Sequence, residues 1–180
     1  MKFLLFPIKI FFLLFFFSSC SDTLSFDQVD LDIEPIVNVP IVYFELNQND
    51  FFDVNNGIEI SSIADITDFD ILQLQTFQEK LIRADFNFEI INRFDRSFQI
   101  KVEFLDSNGN QTFSLSDFNV SSRDLNYSAT RSIIVQDSPR FLNSTKLRVQ
   151  INLFPSSNLI DPTISNTLVI NSAGTFFLSF

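Results

Sequence analysis

Along most of the chain, apolar and polar residues alternate with a period of two, the pattern of strands with one face in a core and one in water. The clearest stretch is 81–120. Phe86, Phe88 and Ile90 alternate with Asp85, Asn87 and Glu89, and Phe98, Ile100, Val102 and Phe104 alternate with Gln99, Lys101 and Glu103. Read locally, Asn92 to Ser97 is a hairpin loop, and Asp106-Ser107-Asn108-Gly109-Asn110 is a second turn leading to Phe113, Leu115 and Phe118. That makes a three-stranded meander. Further strands are expected at 36–46, 57–63, 126–136 and 145–154. Pro40 cannot donate to a ladder, so the 36–46 strand belongs at an edge or carries a bulge. The closing stretch 167–180 reads as one bulged strand or as a tight hairpin at 171–174.

Two segments depart from the two-residue period. Ile71, Leu74, Phe77 and Leu81 have helical spacing, which predicts a helical turn near 76–80. Ser138-Pro139 places proline where a helical turn begins. Seven to nine short strands over 36–180, with one or two helical turns, define an all-β fold, an antiparallel β-sandwich. The segment 86–109 is similar to the central hairpin of an immunoglobulin-like domain, although no Cys–Trp–Cys signature accompanies it.

The first 19 residues are different. Lys2 precedes an almost unbroken apolar run from Phe3 to Phe17, then Ser18, Ser19 and Cys20. A basic start, an apolar core and small residues before a cut form a secretory signal peptide. The run falls short of the roughly 20 residues a spanning helix needs. Ser18-Ser19-Cys20 resembles a bacterial lipobox, with Phe17 where leucine is usual. The resemblance implies that Cys20 is diacylated and becomes the mature N-terminus. Residues 20–35 then form an acidic tether or first strand before the sandwich of 36–180. The Phe-rich leader and the Asp- and Asn-rich domain without His or Trp resemble small lipoproteins of Bacteroidota, flavobacterial ones in particular. That likeness implies a cell-envelope, outer-membrane location, periplasmic or surface-facing. Asp22-Thr23-Leu24 matches the short O-glycosylation pattern of that group, which makes Thr23 a candidate acceptor.

Composition narrows the chemistry. The 180 residues hold one cysteine, no histidine and three isolated glycines. An intrachain disulfide, a cysteine-based metal cluster, a Ser-His triad and a phosphate-cradling loop are therefore excluded. From Ser21 to Glu79 there are 13 acidic and no basic residues; from Lys80 onward there are 9 acidic and 10 basic. If linear order maps to space, the two parts form opposite ends of the fold. Nucleic acid is not an expected partner of so acidic a chain. Asp65, Asp68 and Asp70 could face a cation from a loop, and 106–110 has the residue types of a calcium loop, but its Gly109 is misplaced for an EF-hand. Neither supports a metal site, and no cofactor is expected.

These observations point to a non-enzymatic envelope lipoprotein with a binding, assembly or structural role. Its partners would be the membrane, through lipid at Cys20, and another envelope protein or a glycan. Two alternatives stand beside it. One is a hydrolase or carbohydrate-active protein. The other is a small outer-membrane β-barrel, raised by the alternating, aromatic-ended stretch Phe176, Leu178, Phe180.

Overall fold

The computed structural model describes residues 35–53 and 55–180. The expected signal segment, Cys20, Thr23 and nearly all of the expected tether lie outside them. Nine strands form two antiparallel sheets: β1 (Ile36–Asn47), β2 (Ser62–Asp68), β3 (Leu81–Asn92), β4 (Phe98–Leu105), β5 (Gln111–Ser114), β6 (Phe118–Val120), β7 (Tyr127–Ile134), β8 (Lys146–Leu153) and β9 (Thr167–Leu178). One sheet has the order β1-β9-β3-β7. The other has the order β2-β8-β4-β5, with β6 also on β4. The antiparallel all-β sandwich is the one the alternation predicts. Two separate open sheets, each with its own edge strands, are not a closed barrel, which sets the barrel alternative aside.

The connectivity corrects the local reading. β3 and β4 do not pair; they lie in opposite sheets, so 92–97 is a crossover and not a hairpin. β4 and β5 do form a hairpin, closed at Gly109 with φ +84°. β5 and β6 pair with the same strand, Glu103 opposite Ser114 and Ile100 opposite Phe118, so they are one strand interrupted at 115–117. Counted this way, eight strands form two four-stranded sheets, and the chain changes sheet at every connection but the β4–β5 turn. This is the order of a jelly roll built from two Greek keys, not that of an immunoglobulin-like domain.

Polar pins explain the crossover. Asn92 is fully buried; its amide donates to the carbonyls of Arg96 (2.8 Å) and Ser121 (2.7 Å) and accepts from the Phe94 N–H (2.9 Å). Arg96 is 6% exposed and donates to both oxygens of Glu59 at 3.1 Å, to the Asn158 carbonyl at 2.7 Å and to the Phe154 carbonyl at 2.9 Å. The Glu59 carboxylate also accepts from the Ile160 N–H at 2.6 Å. A buried charge needs this many partners. The pair ties three loops across one end of the sandwich. It also mixes the acidic and basic parts of the sequence, as does Asp68 opposite Lys146 in the β2–β8 ladder. Among the described residues the acidic and basic parts of the sequence therefore meet at these points and are not held at separate ends.

The strand expected at 57–63 starts five residues later. Residues 57–61 form a loop with a single bridge, Phe52 to Glu59, and β2 carries Asp65 and Thr67 at positions where a core strand would carry apolar groups. The closing stretch is one unbroken strand, β9, paired with β1 and β3. The helical turn predicted near 76–80 is α1 (Gln75–Lys80), and Ser138-Pro139 opens a 3-10 turn over Pro139–Asn143.

Phenylalanine fills the space between the sheets. Phe104 lies 5.1 Å from Phe86, 5.3 Å from Phe69 and 4.9 Å from Phe141, centroid to centroid. Phe88 of one sheet meets Phe118 of the other at 4.5 Å. The seven apolar residues at the alternating positions of β3 and β4, from Phe86 to Phe104, are all buried. They face one another across the sandwich, where the local reading placed them side by side.

Candidate functional site: a polar groove on the outer face of the first sheet

The site begins with an irregularity in β1. The inward-facing residues of β1 are odd-numbered as far as Ile41 (Val37, Val39, Ile41) and even-numbered beyond it (Val42, Phe44, Leu46). The ladder to β9 shifts register between Pro40 and Val42, so Ile41 is the extra residue of a bulge. Both expectations raised by Pro40 hold, since β1 is a bulged edge strand. The bulge puts Pro40 and Tyr43 on the same outer face, although an odd spacing would otherwise separate them.

Cross-strand register then assembles two rows. Tyr43 lies opposite Asn171, which lies opposite Glu89, which lies opposite Ser128. Pro40 lies opposite Ala173, then Asn87, then Thr130. Between these rows is a groove of about 500 Å³. Ala173 and Pro40 are too short to fill it; Tyr43, Asn87, Glu89 and Asn171 rise around it. Tyr43 is 66% exposed, and its hydroxyl donates to Glu45 at 3.0 Å. That hydrogen bond, with the Glu45 charge behind it, holds the phenol above its usual range, so it stays protonated. Asn87 accepts from Thr130 at 2.7 Å. Among the described residues, the Asn87 amide nitrogen, the Asn171 amide and the Glu89 carboxylate are left without an internal partner.

The outer face of the second sheet is polar too, but its groups bond to one another. Ser62 donates to Asn152 (2.8 Å), Gln150 donates to Ser62 (3.1 Å) and to Asn152 (2.9 Å), and Arg148 is ion-paired with Glu103. On the first face, the groups around Ala173 carry no such mutual bonds beyond Thr130 to Asn87 and are open to a ligand. The sequence reading did not select these residues. The parity switch at Pro40–Val42 and the small Ala173 were the available signals, and neither means anything until β1 and β9 are paired.

The other sites considered in sequence resolve as follows. Asp65 and Asp68 sit on β2 and Asp70 in the 3-10 turn that follows it. Among the described residues no group of three His, Cys, Asp or Glu side chains could hold a metal ion. The 106–110 stretch is a turn: Asp106 accepts from the N–H groups of Asn108 (2.9 Å) and Asn110 (2.8 Å). The Asn110 amide and those N–H groups hold the Asp106 carboxyl below its ordinary range. Cys20 and Thr23 fall outside the described residues, among which no helix is long and apolar enough to cross a membrane.

The class that fold and site define is an antiparallel jelly-roll sandwich with an open polar groove. No family model and no curated protein sequence matches the chain. Among solved structures it is similar to a protein of Parabacteroides distasonis ATCC 8503 described as secreted, at 12% identity and a TM-score of 0.49, over 64% of this chain and 38% of that one. It is also similar to the VP2 subviral particle of infectious bursal disease virus, at 7% identity and a TM-score of 0.47, over 82% of this chain and 33% of that one. A third likeness is to the enzymatically active domain of tailspike protein 4 of bacteriophage CBA120, at 11% identity and a TM-score of 0.42, over 79% of this chain and 19% of that one. The chain thus spans less than two fifths of the length of each.

Proposed function

We propose that the protein is an outer-membrane lipoprotein of the cell envelope, anchored by lipid on Cys20, whose first sheet is a non-enzymatic binding surface for a glycan. The leader and Ser18-Ser19-Cys20 support the anchor. The observation that carries the binding role is the groove over Ala173. A sugar presents hydroxyls around an apolar ring face. The open amides of Asn87 and Asn171 suit the hydroxyls, and the exposed ring of Tyr43 suits the C–H face. The groove lies open on a sheet surface, which suits an extended chain better than a small enclosed molecule. Glu89 is the one carboxylate among its lining residues. Glycoside hydrolysis ordinarily uses two carboxylates flanking the bond, so the groove favours binding over the hydrolase reading.

The test is co-sedimentation of the mature chain with insoluble envelope polysaccharide. Tyr43→Ala and Asn171→Ala should each weaken retention about tenfold, the equivalent of about 1.4 kcal/mol. Retention that is absent in the native chain, or unchanged in both variants, refutes the glycan site. Mass spectrometry of the N-terminal peptide for fatty acid on Cys20 tests the anchor separately.

A further inference from the structure

We propose that the end of the sandwich where β1 begins is seated on the lipid bilayer, so that the domain stands end-on rather than swinging free. The inference rests on the lipid anchor at Cys20. Its basis is a second feature of the first sheet. Ile36 lies opposite Phe177, Phe177 opposite Arg83, and Arg83 opposite Ile134, one row crossing all four strands on the outer face. Ile36 is 56% exposed and Ile134 42%. The Arg83 guanidinium lies 3.7 Å from the centre of the Phe177 ring and is ion-paired with Asp85 of the next row at 3.3 Å. Ile82, at the bulge of β3, and Phe180, with Lys80 5.9 Å from its ring, are exposed at the same end. Apolar bodies with basic tips are the make-up of a surface lying at the boundary of headgroups and acyl chains. The next row, Asn38, Thr175, Asp85 and Ser132, is polar. The apolar band is therefore one row deep, enough for shallow seating and not for insertion.

The bilayer is the occupant because of where the chain leaves the fold. The Pro35 carbonyl accepts from the Leu178 N–H at 3.3 Å, so the chain enters the sandwich at this same end. Cys20 precedes Pro35 by fifteen residues, which reach at most about 50 Å when fully extended. The anchor thus keeps the row close to the bilayer, and tethering makes even a weak contact effective. The far end, where residues 48–61 and 154–166 lie, is separated from it by β1, about 40 Å of strand.

The experiment uses the full lipid-modified chain, reconstituted into vesicles of phosphatidylethanolamine and phosphatidylglycerol. Acylation occupies the only native thiol, so Ile134→Cys, or Leu159→Cys at the far end, accepts an environment-sensitive fluorophore selectively. Leu159 is 68% exposed, so both positions tolerate the probe. The expected result is a blue-shifted emission at 134, quenched several-fold more strongly by lipid-borne spin label than emission at 159. Adding Ile36→Asp should reduce that quenching several-fold. Equal quenching at the two positions, or none at 134, overturns the proposal. So does a blue shift at 134 that ignores the lipid quencher: one that grows with protein density assigns the row to a second copy, and one that does not assigns it to residues 21–34. Absence of fatty acid on Cys20 refutes the anchor and the seating with it, whereas an acylated chain unquenched at 134 refutes the seating alone.

Discussion

Truncating Phe88 tests the sandwich at its centre. The side chain is 2% exposed, sits on β3, and meets Phe118 of the opposite sheet at 4.5 Å between ring centroids. Phe88→Ala removes the ring from between two sheets joined elsewhere by many contacts, so the gap cannot close freely. The lost transfer energy and the cavity together cost about 3–5 kcal/mol. That is a large part of the roughly 5–15 kcal/mol that holds a whole domain. In urea, with a slope near 2 kcal/mol/M, the midpoint should fall by about 2 M with the slope unchanged. Glu89→Ala, the next residue and on the outer face, should change stability by no more than about 0.5 kcal/mol. Because the two rings belong to different sheets, a double-mutant cycle of Phe88→Ala with Phe118→Ala should show about 0.5–1.5 kcal/mol of coupling. A Glu89→Ala cost equal to that of Phe88→Ala would mean β3 is buried on both faces. Zero coupling would mean that β3 and β6 do not face each other, and the jelly-roll order would fall.

Three further outcomes follow from particular contacts. Glu59→Ala leaves the Arg96 guanidinium buried without its carboxylate and should cost about 3–5 kcal/mol in a thermal melt, while Glu59→Leu with Arg96→Met should recover part of that loss. Gly174→Ala should destabilise by about 1–3 kcal/mol, because an added Cβ would sit 2.9 Å from the Phe176 ring and 3.1 Å from Ile41. The Asp106 carboxyl is held low chiefly by its hydrogen bond from the Asn110 side chain, so its small contribution is present above about pH 4 and is lost as pH falls through its depressed folded value. Asn110→Ala should move that titration upward by NMR, and an unmoved titration would refute the assignment.

Period-two alternation made the strands of this fold legible, because the parity of Phe86, Phe88, Phe98 and Phe104 states which side chains leave water. It could not state which strands pair. A core residue looks the same whether its neighbour lies beside it in one sheet or across the gap in the other. The 92–97 crossover was the casualty: the five residues that separate β3 from β4 have hairpin length, and the hairpin is the commonest solution. The warning was Phe94. A turn tip in water has no use for a large ring, and here Phe94 is buried with Asn92 and Arg96 on either side. Likewise Glu59 and Arg96 give no local sign of pairing, since 37 residues separate them.

The groove shows the same limit at the level of function. The parity switch from Val37, Val39 and Ile41 to Val42, Phe44 and Leu46 is visible in the chain, and it dictates a bulge if both halves of β1 face one core. From the bulge it follows that Pro40 and Tyr43 share the outer face. What makes that pairing a site is the residue between them on the neighbouring strand. Ala173 lies opposite Pro40 at a distance of more than a hundred residues in sequence, and its short side chain leaves the space that Tyr43, Asn87 and Asn171 surround. Tyr43, Asn87 and Asn171 are each an ordinary aromatic or polar group when read alone. The site exists only because β9 is inserted between β1 and β3, a consequence of the order in which the two Greek keys wind, and that order is written in long-range contacts rather than in any local pattern.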